Sequence, residues 1–219
     1  MATAKAKKAI TQDGIISMYM EYVLANEHAP KSVYKFCKEH KIKEADFYKF
    51  FGSFESLQKI LWQRFYEVTM EVAQKDPNFE TMSNKNKMLT FYYTFFEMLT
   101  ANRSYVIYEL QPANGVLKNS NQLSGLRRKV KDFAADLIET SNDQKQLRIT
   151  KQPVGLFSEG AWIQLLCLIQ FWRNDDSPGF EKTDAAIEKS VKTVFDFFDS
   201  STIESAIDLG KFLWKERMI

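Results

Sequence analysis

The chain has 219 residues, 45% of them hydrophobic and 26% charged, with a formal net charge of +2; that is enough for one full-sized domain, or a small one joined to a larger one, whose core needs no disulfide or metal. The charge fraction and 14% aromatics exclude a disordered tail protein, and 8 Gly with 5 Pro are too few for the many tight turns of an all-β fold. The composition predicts an all-α protein.

Helical periodicity dominates from the N-terminus onward. Ile15, Met18, Tyr19, Tyr22 and Val23 predict a first helix ending near Asn26. After Ala29-Pro30, Ser32 precedes a short second helix carrying Val33, Phe36 and Cys37, and His40-Lys41-Ile42 breaks the pattern. Phe47, Tyr48, Phe50 and Phe51 mark a third helix stopped by Gly52, and Ser53 is the expected N-cap of a long fourth with Leu57, Ile60, Leu61, Phe65 and Val68 inward. Asp76-Pro77-Asn78 ends it. An aromatic helix follows over 87–102, a short one over 103–110, a loop at 111–115 and a further helix over 122–140. A surface connection leads to a strongly apolar helix over 154–172, a turn at 174–179, a helix over 183–199 and a last one over 203–217.

The start, Ala/Lys-rich over 1–10, lacks the apolar stretch of a secretory signal. The longest apolar stretch, 161–172, is interrupted by Gln164 and Gln170 and is short of the roughly 20 residues a membrane span needs, so a cytoplasmic protein with no membrane span is expected. Cys37 and Cys167 stand far apart with no CxxC partner and only two histidines in the chain, so no zinc site is readable and both read as small buried hydrophobes in a reduced compartment. No phosphate loop, metalloprotease motif or nucleophile elbow occurs. His28 and His40 fall at helix boundaries, and Asp175-Asp176 reads as a turn with Asp176-Ser177 capping the next helix. The expectation is a protein that is not an enzyme and carries neither cofactor nor metal.

The first fifty residues hold nine Lys/Arg against six Asp/Glu, a net of +3, on a body with a net of −1. Within that basic block, Ser32 to Phe51 has the support helix, tight turn and second helix that a helix-turn-helix requires. Val33, Phe36, Ile42 and Phe47 would close its core, leaving Tyr48 and Lys49 to face DNA.

Here the chain resembles the TetR family. The stretch Lys31-Ser32-Val33, then Ile42, then Phe47-Tyr48-Lys49-Phe50-Phe51-Gly52-Ser53-Phe54-Glu55-Ser56-Leu57 follows that family's helix-turn-helix pattern. The resemblance implies an all-α homodimer, with a DNA-reading head over residues 1–57 and a ligand-binding and dimerisation body over 58–219. It implies a ligand-responsive transcriptional regulator, usually a repressor, whose partners are a double-stranded DNA operator and a small apolar ligand or lipid. The positions it assigns to DNA are Lys31, Ser32, Lys43, Asp46, Tyr48 and Lys49. Several positions depart from the pattern: Lys41 stands at the turn glycine, Lys43 at the small cap, Ala45 and Asp46 at small or hydroxyl positions, and Phe54 at a phosphate-contacting lysine. With Glu44 and Asp46 beside Lys43 and Lys49 the reading helix is neutral overall, and a lysine at position 54 is expected to add a phosphate contact.

A second stretch, Phe171-Trp172-Arg173-Asn174-Asp175-Asp176-Ser177-Pro178-Gly179-Phe180-Glu181-Lys182-Thr183, resembles the lipid-binding protein family of ubiquinone biosynthesis, which shares the TetR-like fold. That resemblance implies the alternative of a lipid or isoprenoid carrier without DNA binding. Phe91, Tyr92, Tyr93, Phe95 and Phe96 cover more than one helical face. They make either a large core with a subunit contact, or an apolar cavity lined by Tyr92, Phe95, Phe96, Tyr105, Tyr108 and Trp162. Leu165, Ile169, Trp172, Val191, Phe195 and Phe198 are the residues expected at the dimer interface.

Overall fold

The structure, a computed structural model, describes residues 10–110, 121–143 and 153–199. Among these residues there are nine α-helices and no strand. The expected loop at 111–115, most of the connection before residue 153, and the last helix at 203–217 lie outside the described residues.

The helices are α1 (Gln12–Asn26), α2 (Val33–Glu39), α3 (Glu44–Tyr48), α4 (Phe54–Ala73), α5 (Asn84–Ala101), α6 (Arg103–Glu109), α7 (Ser124–Asp143), α8 (Val154–Arg173) and α9 (Glu181–Asp199). The chain forms two compact units: Met1–Arg64 with Leu99–Gly125, and Phe65–Met98 with Leu126–Ile219. The cuts fall inside α4, α5 and α7, so the first unit takes α6 in addition to the N-terminal helices.

In the first unit, local signals set the helix ends. The Thr11 hydroxyl accepts the Gly14 amide at 3.1 Å to start α1, and Glu27 closes it in the left-handed region, donating its amide to the Val23 carbonyl. Ser32 caps α2 through the Lys35 amide at 3.3 Å. Ser53 and Ser56 cap α4 reciprocally, each hydroxyl accepting the other's amide. The core is aromatic: Tyr19, Phe36 and Phe47 are fully buried, and Phe54 packs 5.4–5.5 Å from all three rings. Position 54 is therefore half-buried with its ring on this cluster, so Phe54 takes part in the packing of the N-terminal helices.

In the second unit, Phe91, Tyr92, Phe95 and Phe96 on α5 are all buried, with Phe91 against Tyr66 and Phe133 and Phe96 against Trp172. Burial of each such ring contributes about 1.5–3 kcal/mol before the entropy of ordering it. On α8 the buried face is Phe157, Ser158, Ala161, Trp162, Gln164, Leu165, Leu168, Ile169 and Trp172. Against it pack Ile187, Val191 and Phe195 of α9, with Phe157 edge-on to Phe195 and Phe198.

Two expectations about α8 are corrected. It has 20 residues and a window of mean hydropathy 1.4, so by length and composition alone it could cross a membrane. The run read from the sequence was too short because the helix continues through Ser158-Glu159-Gly160 to Leu156 and Phe157. Nine of its residues pack inside this unit, which accounts for the apolar character. Cys167 is exposed while Cys37 is buried. At about 100° per residue, Cys167 falls on the outward side with Ile163 and Phe171.

Candidate functional site

The helix-turn-helix is built as the spacing requires. His40 ends α2, its Nδ1 3.0 Å from the Phe36 carbonyl, and Lys41 follows in the left-handed region at φ 56°. The Ile42 amide then closes the turn on the Cys37 carbonyl at 3.0 Å. A left-handed residue just past a helix end is the position glycine favours, since any Cβ there is strained. On α3 only Phe47 is buried. Lys31, Lys43, Tyr48 and Lys49 are exposed, Tyr48 by 52%, while Ser32 is committed to capping α2 and Asp46 is half-buried. The Lys49 ammonium lies 5.5 Å from the Phe50 ring centroid. Among the described residues none of Lys31, Lys35, Lys38, Lys41, Lys43 and Lys49 forms an ion pair. Such a surface can neutralise a polyanion, and α3 sets Glu44 and Asp46 against it.

A buried polar cluster lies in the same unit, and sequence reasoning missed it. Glu109, 5% exposed at the end of α6, accepts the Tyr105 hydroxyl at 3.0 Å, the Gln58 amide at 3.3 Å and the Gln122 amide at 3.1 Å. Gln58 also donates to the Tyr19 hydroxyl oxygen at 2.9 Å, so one side chain of α4 bridges α1 and α6. Burial, reinforced by the Glu109 charge, pushes the phenols of Tyr19 and Tyr105 well up. The legible signal was a lone acid closing an otherwise apolar, aromatic helix.

The six residues expected around a ligand divide between the units. Tyr92, Phe95, Phe96 and Trp162 lie in the second, and Tyr105 and Tyr108 in the first. The Tyr92 hydroxyl donates to the Ala161 carbonyl at 3.0 Å and lies 3.3 Å from Gln164 Oε1; burial raises its pKa far above the ordinary phenol value. Tyr105 is engaged with Glu109, and Tyr108 donates to the Glu27 carbonyl at 3.1 Å. An open surface hollow of about 540 Å³ lies elsewhere, lined by Ser17, Met20, Glu21, Leu24, Ala25 and Asn102.

The residues expected at a subunit interface are mostly interior. Leu165, Ile169, Trp172 and Val191 are fully buried within the chain, Phe195 is 8% exposed, and Phe198 packs on Phe157 at 5.1 Å. Phe195 and Phe198 of α9 meet Phe157 of α8, and Trp172 meets Phe96 of α5, so these side chains are taken up by packing within the chain. The outward apolar positions are Leu156, Ile163 and Phe171 of α8 and Phe197 of α9, each 46–58% exposed.

The turn between these helices corrects the capping expectation in part: the Ser177 hydroxyl does accept the Lys182 amide at 3.2 Å in the first turn of α9, but the carboxylate is a different one. The buried Asp175, not Asp176, holds it: Oδ1 accepts the Ser177 amide and hydroxyl at 2.9 and 2.6 Å, and Oδ2 accepts the Thr183 amide and hydroxyl at 2.9 and 2.6 Å. Burial alone would raise this carboxyl, but those four hydrogen bonds outweigh it and hold it well below the usual carboxylate range. Asp176 instead pairs with Lys182 on the surface at 2.7 Å. Among the described residues no cluster of His, Cys, Asp and Glu could hold a metal.

Compared with known proteins, the chain matches the family model of the tetracyclin repressor-like C-terminal domain over residues 87–213, more than half of its length. No curated protein matches it.

Proposed function

The chain belongs to the tetracyclin repressor-like (TetR) family, whose members are regulators rather than enzymes, and from that premise we propose that it is a ligand-responsive repressor that binds a double-stranded DNA operator as a homodimer, in the cytoplasm. The observation that carries this reading is the capped α2–turn–α3 element, with Tyr48 and Lys49 outward and, around it, six lysines that form no ion pair among the described residues. Residues 1–57 act as the DNA-reading part and 58–219 as the part that binds ligand and dimerises. Lys43, Tyr48 and Lys49 contact the duplex directly, with Lys31 on the backbone, Ser32 setting the start of α2 and Asp46 tuning the neutral α3. The dimer forms through the outward faces of α8 and α9, where Leu156, Ile163, Phe171 and Phe197 are unburied.

An apolar ligand or lipid enters the aromatic body around Tyr92, Phe95, Phe96 and Trp162 and favours one of two conformations, shifting the population competent for the operator. Tyr105 and Tyr108 belong to the other unit, so the ligand reading rests on the first four.

A carrier without DNA binding is the second reading, and two features favour it: α3 carries two acids, and Phe54 packs on the aromatic cluster where the TetR pattern has a phosphate lysine. Titration of the purified protein against genomic duplex fragments at low salt separates the two. Saturable binding that weakens as salt rises supports the repressor, whereas no binding together with an extractable hydrophobe supports the carrier.

A further inference from the structure

At the turn between α2 and α3, Lys41 occupies a left-handed conformation, φ 56°, that is sterically costly for a residue with a Cβ and not for glycine. The side chain obtains no evident return inside the fold: it is exposed and has no ion-pair partner among the described residues. Strain kept at an exposed cation suggests a use for the charge outside the chain. Its neighbours support that use. At 3.6 residues per turn, Tyr34, Lys35 and Lys38 share an arc of about 100° on α2, opposite the buried Phe36 and Cys37. Both lysines are exposed and form no ion pair among the described residues, Tyr34 is 58% exposed, and the Lys38 ammonium lies 6.0 Å from its ring centroid. Lys31 precedes the arc, and Glu39, also exposed, borders it.

We propose that Lys41, with Tyr34, Lys35 and Lys38, forms a clamp on the DNA sugar-phosphate backbone, supplying from α2 and the turn the phosphate neutralisation that the acid-bearing α3 lacks. The inference rests on the operator-binding reading. It places most of the salt-dependent affinity on α2, and leaves α3 to orient the protein over the base edges. The Tyr34 hydroxyl donates to a phosphate oxygen, and the ammonium groups displace condensed counterions.

Lys41→Gly tests it without risk to folding, because glycine relieves the turn. The variant should melt at a higher temperature yet bind duplex several-fold more weakly. Its plot of log affinity against log salt should be shallower by about 0.9 for each phosphate left without its lysine, hence about 1.8 for two heads. Lys41→Ala, which removes the charge but keeps the strain, should show the same loss of binding with no gain in melting temperature, and Lys35→Ala with Lys38→Ala should flatten the salt slope further. A Lys41→Gly protein that melts higher but keeps wild-type affinity and slope would overturn the clamp, as would one that melts lower. Wild-type protein that binds no duplex at low salt fails one step earlier, at the operator reading itself. Retention on vesicles containing anionic lipid in that case would assign the lysine arc to a membrane surface and overturn the proposal.

Discussion

At the scale of single residues, side chains with similar sequence surroundings do different work according to which way they face. Phe54 packs against Tyr19, Phe36 and Phe47. Phe54→Lys would replace that packing with an ammonium beside rings already buried, and should lower stability by about 2 kcal/mol, between the costs of losing a buried ring and of a surface change. Chemical denaturation measures this, and unchanged stability would mean that the ring is not part of the core. Tyr92 has its hydroxyl in the interior with two acceptors. Tyr92→Phe leaves the Ala161 carbonyl and Gln164 one donor short, at about 1–2 kcal/mol. In a chain of this size that lowers Tm by about 2–8 °C, readable by calorimetry.

At the scale of elements, caps decide where helices begin and how consecutive ones connect. Asp175 ties the end of α8 to the first turn of α9, while Gly179 and Phe180 both adopt left-handed backbone at φ 62° and 61°. Phe180 carries a Cβ there, and its ring lies 6.3 Å from that of Trp172. Because the folded-state pKa of Asp175 is depressed, its contribution is complete above the ordinary carboxylate value of about 3.9 and is lost as pH falls below it toward the folded value. Thermal unfolding of the wild type should therefore show stability falling below about pH 4, and Asp175→Asn should flatten that limb while lowering Tm at neutral pH by several degrees. An acid limb of equal steepness in the variant would assign the dependence to other carboxylates.

At the scale of the whole molecule, the proposed dimer depends on apolar surface that one chain leaves uncovered. Leu156, Ile163 and Phe171 recur at spacings of seven and eight along α8, which keeps them on one side of the helix. Ile163→Asp places a charge at the most exposed of these positions without touching the internal core. Sedimentation should find the wild type dimeric at micromolar concentration and the variant monomeric with native helicity by circular dichroism. A variant that stays dimeric would move the interface off this face; one that loses its helicity would make the position part of the fold.

The sequence by itself determined the helical class, nearly every helix within the described residues, the cap at Ser53, and the short α2, turn and α3 in succession. These follow from short-range physics: apolar spacing at the helical period, and hydroxyls that meet amides three residues on. The left-handed turn at Lys41 was hinted at only through the TetR resemblance, whose pattern has a glycine at that position. Facing was not. Leu165 and Trp172 belong inside the chain and Ile163 and Phe171 outside, yet all four are apolar residues on one strongly hydrophobic helix whose composition changes little around its circumference. Only the packing of other helices against one side, α9 at Phe157 and α5 at Trp172, distinguishes them. The same holds for Glu109, whose partners Gln58 and Gln122 lie 51 and 13 residues away, and for the choice of Asp175 over Asp176 as the cap. Adjacent carboxylates have equal local chemistry, and the tertiary structure decided between them by burying one and leaving the other in water.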